Sequence, residues 1–191
     1  IDYYLPREDE YRRVEHLTRM ITADFLGEVC AYALARGMVV RPHFNGPGHN
    51  TLIARLIPEI SAKDESGEPT GYGFCLSNQR TYEVLFEIID DIAKNHLLPN
   101  GVRSWHMAAD EVYPLVGMHP DKPFERLSPW CQCEECRKKT EAELYVEYVL
   151  RLAGHLKEIG ITEISMWNDQ LVRGGSLNEE LLEKIEAVGL K

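Results

Sequence analysis

Two adjacent carboxylates, Asp110 and Glu111, follow a short apolar and aromatic run that begins at Trp105. An apolar run of this length fits a fully buried β-strand. Burying a carboxylate costs free energy, so a pair at the end of such a strand needs a compensating role. At the C-terminal ends of the strands of an α/β barrel, that role is usually catalysis. The pair is therefore the first candidate for acid/base chemistry.

Polar side chains also follow the two other predicted strands, which span residues 38–44 and 161–167. They are His43, Asn45 and His49 after the first of these strands, and Trp167, Asn168 and Asp169 at the end of the last. Parallel strands bring their carboxyl ends to one edge of a sheet, where ligands bind. We expect one shared pocket above that edge, although loops are often polar only because they contact water.

Three cysteines form a second candidate site, C-x-C-x2-C, at Cys131, Cys133 and Cys136. Three thiolates on one short turn suit a soft metal ion, and a structural zinc site is one interpretation. The candidates for a fourth ligand are His119, Cys75 and a carboxylate such as Glu135. The alternative is three reduced thiols, or one disulfide and one thiol. Zinc closed by thiolates would hold the loop beside Glu111 and would take no part in chemistry.

Helical and strand patterns alternate along the chain, which predicts parallel βαβ units. Helices are expected at about 22–36 (ended by Gly37), from 49 or 50 to Pro58, from 77 or 78 to 95, over 140–158 and over 178–188, with strands at 38–44, 103–109 and 161–167. Residues 61–76 are expected to form a polar loop, and residues 112–139 a long loop insertion that carries the cysteines. We place Trp105 and Cys30 in the core, and predict that His16, His96 and His155 are solvated.

The fold class that fits is α/β of the (β/α)8 TIM-barrel type. A complete barrel needs about 250 residues, and the chain has 191. We therefore predict one catalytic domain over 1–191, a partial barrel of three or four β/α units. A small open sheet is the alternative. Exposed strand edges of a partial barrel would need a cover, either the remainder of the barrel or a second copy in a homo-oligomer.

Composition narrows the classes of partner. The formal net charge of −10 argues against nucleic acid, since a phosphate backbone attracts basic surfaces. No apolar run reaches membrane-spanning length and the first residues do not show the basic-then-apolar pattern of a leader, so we expect no membrane partner. An odd count of five cysteines, three of them crowded, favours a reducing compartment and hence a cytoplasmic location.

Four segments of the chain, between about Thr22 and Leu171, form recognisable motifs. They are Tyr32 to Gly37 with Val40 to His49, Cys75 to Asn78 with Thr81 to Glu83, His106 to Val112, and Met166 to Asp169. In order and spacing these segments resemble glycoside hydrolase family 20, the β-N-acetylhexosaminidases, whose corresponding motifs read YA…RG-I-x-V-x-PEID-x-PGH, LCPSN…TYE, H-x-GGDEV and W-x-D/E.

The resemblance implies a retaining, substrate-assisted hydrolase of 2-acetamido sugars with no catalytic cofactor. Glu111 would be the general acid/base, and Asp110 would hold the 2-acetamido group, whose carbonyl oxygen replaces an enzymic nucleophile. His49 and His106 would be hydrogen-bond partners of this pair. Trp167 would contact the apolar face of the sugar and Asp169 would bind a hydroxyl group, with His43 and Asn45 also lining the substrate site.

The sequence departs from the family pattern at two of these segments. The family's PEID reads Pro42-His43-Phe44-Asn45, and its two glycines before Asp-Glu are Ala108 and Ala109. Two alternatives stay open for this reason. The first is a non-catalytic carbohydrate-binding scaffold of the same fold, and the second is a hydrolase of a different sugar.

Overall fold

The structure, a computed structural model, describes residues 25–116, 126–173 and 179–190. Its helices are α1 (Phe25–Leu34), α2 (Leu52–Leu56), α3 (Gln79–Ile92), α4 (Glu134–Arg137), α5 (Glu141–Glu158), α6 (Asp169–Arg173) and α7 (Glu179–Ala187). The strands are β1 (Ser61–Lys63), β2 (Pro69–Phe74), β3 (Ser104–His106), β4 (Leu115–Val116), β5 (Arg126–Leu127) and β6 (Glu163–Ser165). A π-helical turn (Ala93–Leu97) and a 3-10 turn (Leu98–Asn100) extend α3.

Three parallel stretches lie side by side at the centre. β3 pairs in parallel with β6, and Trp105 lies opposite Ile164. On the other side of β3, His43 forms a parallel bridge with His106. The helices α3 and α5 connect these stretches, which is the crossover that parallel strands require.

The first predicted strand, 38–44, is reduced to that single bridge. The N–H of His106 donates to the Pro42 carbonyl at 2.8 Å, and the N–H of Phe44 donates to the His106 carbonyl at 3.3 Å. The ladder cannot continue toward residue 40 because Pro42 has no N–H to donate. The Ser104 hydroxyl instead donates to the Val40 carbonyl at 2.5 Å.

The prediction of a polar loop over 61–76 is wrong, because β1 and β2 form an antiparallel hairpin there. The Asp64 carboxylate organises its turn by accepting hydrogen bonds from the N–H groups of Ser66 and Glu68. Gly71 and Gly73 have positive φ angles of 66° and 70°, so irregular backbone interrupts the alternation of side chains that would have indicated a strand.

The stretch predicted as a long insertion, 112–139, contains short elements in its described parts. β4 and β5 pair antiparallel, with Leu115 opposite Leu127, and α4 follows. His119 lies outside the described residues, as does His16.

The helix ends follow local chemistry. The side chain of Asn78 accepts from the N–H of Arg80 at the start of α3, and Thr140 with Glu143 forms a capping box at the start of α5. Gly37, predicted to end the first helix, follows α1 in the left-handed conformation with φ of 70°.

The core lies between the parallel stretches and the helices α3 and α5. Its largest buried side chains include Trp105, Tyr72, Tyr82, Tyr148 and Phe74. Trp105 and Cys30 are buried, which confirms both predictions. No helix in the described ranges is long and apolar enough to span a bilayer.

Several large apolar side chains near the start of the described chain are exposed. They are Val29 and Tyr32 of α1 and Met38 and Val39 after it, with 76% of Val39 accessible to solvent. The guanidinium of Arg36 lies over the ring of Tyr32.

Candidate active site

The two carboxylates that follow β3 lie together with one histidine. Nε2 of His49 lies 3.0 Å from Oε2 of Glu111 and 3.7 Å from Oδ2 of Asp110. All three side chains are partly accessible to solvent. The prediction that Asp110, Glu111 and His49 share one site therefore agrees with their geometry.

The backbone between β3 and Glu111 allows both carboxylates to point to one side. Adjacent residues of an extended strand point to opposite faces, but β3 ends at His106 and the chain then turns. Ala108, Ala109 and Glu111 have positive φ angles of 57°, 63° and 50°. This left-handed region is uncommon for residues other than glycine.

The glycines of the turn after Asn45 allow the chain to lie against the carboxylate pair. A Cβ at Gly48 would meet the carbonyl oxygen of Asp110 at 2.7 Å and that of Glu111 at 3.2 Å. A Cβ at Gly46 would collide with the Tyr148 hydroxyl. The carbonyl of Asn45 accepts a hydrogen bond from Nδ2 of Asn50 at 2.9 Å, which closes the turn.

Side chains at the start of α6 hold the backbone of the loop that carries Asp110 and Glu111. Oδ2 of Asp169 accepts from the N–H of Glu111 at 3.1 Å, and Oε1 of Gln170 accepts from the N–H of Val112 at 3.2 Å. Oδ1 of Asp169 is buried and has no hydrogen-bond partner among the described residues. Asp169 therefore holds the backbone of Glu111, and the sugar binding that the resemblance implies for Asp169 stays a prediction.

His106 interacts with the backbone, while His49 contacts the carboxylates. Nδ1 of His106 accepts from the N–H of Ala108 at 3.0 Å, so in the neutral ring the proton is on Nε2. Burial lowers the pKa of His106, and the charges of His43 and Arg41 lower it further against the opposing effect of Asp110. The imidazole is thereby favoured in its neutral form.

Aromatic rings line the side of the site next to β6. The ring of His106 lies 4.8 Å from that of Trp167 and 5.0 Å from that of His43. Half of Trp167 (51%) is exposed, and its backbone N–H donates to the carbonyl of Ala108 at 3.0 Å. An exposed indole that contacts the ring of His106 is suited to stacking on the apolar face of a sugar.

Two buried tyrosines support the site and were not singled out from the sequence. The Tyr145 hydroxyl donates to the carbonyl of Ala109 at 2.7 Å, and the Tyr72 hydroxyl donates to the carbonyl of Tyr113 at 3.2 Å. Burial raises the pKa of Tyr145, and raises that of Tyr72 to about 12. Both therefore keep the proton that they donate. Nothing in the sequence distinguishes them from ordinary core tyrosines.

The cysteine cluster forms a second group of side chains with defined geometry. Sγ atoms of Cys75, Cys131, Cys133 and Cys136 all lie within 4.8 Å of one another. Cys75 is the member that joins the predicted three from a distant part of the chain. Hydrogen bonds with Cys131 and Cys75 lower the pKa of Cys136, whereas the contact with Cys136 raises the pKa of Cys131 to about 11.

The fold and site together define a class of protein. Parallel stretches with crossover helices carry a carboxylate pair and an exposed tryptophan at their carboxyl ends, an arrangement typical of carbohydrate-active α/β enzymes.

Comparison with known proteins identifies the family. Residues 5–185 match the family model described as Glycosyl hydrolase family 20, catalytic domain, and the chain belongs to this family. It is 24% identical to Lacto-N-biosidase from Bifidobacterium bifidum over 185 residues, which cover 93% of the chain and 15% of that protein.

Solved structures with the same fold agree with this assignment. A β-N-acetylhexosaminidase from Bacteroides fragilis superposes with a TM-score of 0.56 at 21% identity, over 76% of this chain and 27% of that one. Dispersin B superposes with a TM-score of 0.55 at 17% identity, over 84% of this chain and 38% of that one. An inactive mutant of an exo-β-N-acetylglucosaminidase from Vibrio harveyi superposes with a TM-score of 0.57 at 15% identity, over 86% of this chain and 27% of that one. The chain thus spans well under half of each relative.

Proposed function

We propose that the protein containing this chain is a retaining glycoside hydrolase that removes terminal 2-acetamido-2-deoxy sugars. Membership of the family and relatives named as hexosaminidases or a biosidase support this substrate class. The observation that carries the proposal is the cluster of Asp110, Glu111 and His49, in which His49 lies 3.0 Å from Glu111.

In this mechanism Glu111 donates its proton to the glycosidic oxygen as the bond to the anomeric carbon breaks. The carbonyl oxygen of the substrate's own 2-acetamido group attacks that carbon and forms a cyclic intermediate, so no enzymic nucleophile is needed. Asp110 accepts a hydrogen bond from the acetamido N–H and orients the group. Glu111 then takes a proton from water, whose oxygen opens the intermediate with overall retention.

The surrounding residues have roles that follow from their contacts. His49 bonds to Glu111 and fixes its rotamer, and Asp169 fixes its backbone. Trp167 provides the stacking surface for the sugar ring. His43 and Asn45 replace two carboxylates of the family pattern, so this edge of the pocket contacts sugar hydroxyls with neutral or basic groups.

We infer further that the three parallel stretches are consecutive units of a (β/α)8 barrel. Other parts of the same protein would supply the remaining units and cover the exposed apolar side chains of Met38 and Val39. This chain covers only 15% of Lacto-N-biosidase and 27% of the Bacteroides fragilis enzyme. Most of each relative therefore lies outside the matched part, which supports this arrangement.

The test is hydrolysis of an aryl N-acetyl-β-glucosaminide by the whole protein. Glu111→Gln should lower kcat by at least about 10²-fold because the general acid/base is lost. Glu163→Gln is the matched control, since Glu163 is an exposed glutamate at the opposite end of β6, and it should retain wild-type turnover. Equal turnover in wild type and Glu111→Gln would refute the role of Glu111.

A substrate panel tests the assignment of Asp110. Asp110→Asn should reduce turnover of the 2-acetamido substrate, and an aryl glucoside without that group should be a poor substrate for the wild type. Faster hydrolysis of the plain glucoside would favour the alternative of a different sugar.

The second candidate function is sugar binding without turnover. The exposed Trp167 and the altered residues 43 and 45 favour it. It predicts saturable sugar binding in calorimetry with no hydrolysis, and loss of the binding heat in Trp167→Ala.

A further inference from the structure

We propose that Cys75, Cys131, Cys133 and Cys136 form a closed tetrathiolate site for Zn²⁺. The metal would attach residues 131–136 to the end of the β1–β2 hairpin. The four cysteines are reduced, and none of them is part of the proposed catalytic site. The proposal does not depend on the glycosidase assignment.

The sulfur positions agree with tetrahedral coordination. With zinc–sulfur bonds of about 2.3 Å, the sulfurs of a tetrahedral site lie roughly 3.8 Å apart. Sγ of Cys75 lies 3.6 Å from that of Cys133 and 3.9 Å from that of Cys136. All four sulfurs lie within 4.8 Å of one another, which leaves a position between them for one ion.

The residues around the cluster provide the hydrogen bonds that orient thiolate ligands. Sγ of Cys131 accepts from the N–H groups of Lys63 at 3.3 Å and Cys133 at 3.5 Å. Sγ of Cys133 accepts from the N–H of Cys136 at 3.5 Å. Sγ of Cys136 lies 3.3 Å from the Ser77 hydroxyl, which can donate to it when the sulfur is ionised.

Burial and ligand type determine what the metal does. Cys75, Cys131 and Cys136 are buried and Cys133 is half-buried, so water has little access to the ion. Four protein thiolates fill the tetrahedral shell of zinc and leave no open position for a substrate. The site is therefore structural. Soft sulfur ligands in tetrahedral geometry favour zinc over magnesium or calcium, which take oxygen ligands.

The site links parts of the chain that are distant in sequence. Cys75 directly follows β2, whereas Cys131 and Cys133 precede α4 and Cys136 lies within it. The N–H of Gln132 donates to the carbonyl of Lys63 in β1 at 2.7 Å, and the carbonyl of Pro129 lies so close to Gly73 that a Cβ there would collide with it. The hydroxyl of Tyr72 in β2 in turn donates to the carbonyl of Tyr113. β2 therefore contacts the segment just after Glu111 and leads directly into the ligand Cys75.

The first experiment is metal analysis of the whole protein, expressed with added zinc and purified without chelator. One zinc per chain is expected. Cys75→Ser and Cys133→Ser should lower the zinc content at least tenfold, while Cys30→Ala, a buried cysteine of α1, should retain it. Full zinc in Cys75→Ser would overturn the assignment of the fourth ligand. No bound metal in wild type, or iron or copper instead of zinc, would overturn the site.

A second measurement on the wild type avoids dependence on the folding of the variants. X-ray absorption at the zinc edge should give four sulfur neighbours, and replacement by Co²⁺ should give the visible bands of a tetrahedral site with sulfur-to-metal charge transfer. Nitrogen or oxygen in the first shell, or a disulfide between any two of the four cysteines, would overturn the tetrathiolate assignment.

Discussion

Gly48 lies in the turn after Asn45, against the backbone of the loop that carries Asp110 and Glu111. The atoms that a side chain would meet are the backbone carbonyl oxygens of Asp110 and Glu111, which cannot move aside like the end of a flexible side chain. The requirement for glycine at position 48 is therefore one of space, because its φ is not in the left-handed region.

We expect Gly48→Ala to displace the carboxylate pair. The free energy of unfolding should fall by about 1–3 kcal/mol, as in other overpacked sites, and kcat/KM of the whole protein should fall by about 10²-fold because the catalytic groups are misplaced. Denaturant unfolding and the aryl glycoside assay measure the two effects. Gly154→Ala is the control: Gly154 lies in α5 with open space around its Cα, and alanine there should leave activity unchanged and be neutral or stabilising by up to about 1 kcal/mol.

Ala108 and Ala109 show what the sequence could and could not reveal at this scale. Their sequence position marked them as replacements of glycines in the family pattern. The sequence did not show that the backbone at both positions has a conformation that glycine adopts more easily. Both have positive φ, which costs an L-residue about 1–2 kcal/mol. Both are fully buried, so their methyl groups pack inside the protein and do not line the open side of the site.

At the scale of elements, the packing of α3 against α5 corrects one prediction. His155 was predicted to be solvated because its neighbours in sequence are charged. Its ring instead stacks on Phe86 with centroids 3.9 Å apart, and its Nε2 lies 2.7 Å from Oδ1 of Asp90. Arg151 lies over the ring of Tyr82 at 3.3 Å in the same interface. These contacts fix the two crossover helices relative to each other.

The stability that Asp90 contributes should depend on pH in the acid range. Desolvation raises the pKa of Asp90, but hydrogen bonds from Lys94 and His155 outweigh it and the pKa lies below the ordinary 3.8. A carboxyl group with a lowered pKa stabilises the fold above its unfolded pKa, and this stabilisation is lost as the pH falls through the folded pKa.

We therefore expect Asp90→Asn to lower the free energy of unfolding by about 1 kcal/mol at pH 7. The difference from the wild type should shrink as the pH falls below 3.8 and disappear once the pH is below the folded pKa. Denaturant unfolding across this pH range provides the measurement. Asp91→Asn, at an exposed neighbouring aspartate of α3, should change stability little at any pH. A constant difference between wild type and Asp90→Asn down to pH 2 would contradict the prediction.

At the scale of the whole molecule, the β1–β2 hairpin connects the cysteine cluster with the loop that carries Asp110 and Glu111. The proposed zinc site holds residues 126–137 against this hairpin, and Tyr72 joins the hairpin to the segment just after Glu111. Loss of the metal should thus loosen one side of the active site without affecting α1.

Removal of zinc by a strong chelator should lower the Tm of the whole protein by roughly 5–10 °C, because metal binding is coupled to folding. Hydrogen exchange should become faster in 61–76 and 126–137 and stay unchanged in α1. Cys75→Ser serves as the control, since it should show no further change on adding chelator. An identical Tm with and without chelator in wild type would argue against a stabilising metal.

The sequence by itself determined the alternation of helices and parallel strands, the carboxylate pair and the three clustered cysteines, because hydrophobic periodicity and ligand spacing are local properties. It did not reveal the β1–β2 hairpin, whose glycines and polar residues hide the strand pattern. Only the tertiary structure placed Asp169 on the backbone of Glu111, Tyr145 under Ala109 and Cys75 beside the other cysteines. These contacts join residues that are 58, 36 and up to 61 positions apart, and such pairings depend on how the elements pack, which no local pattern records.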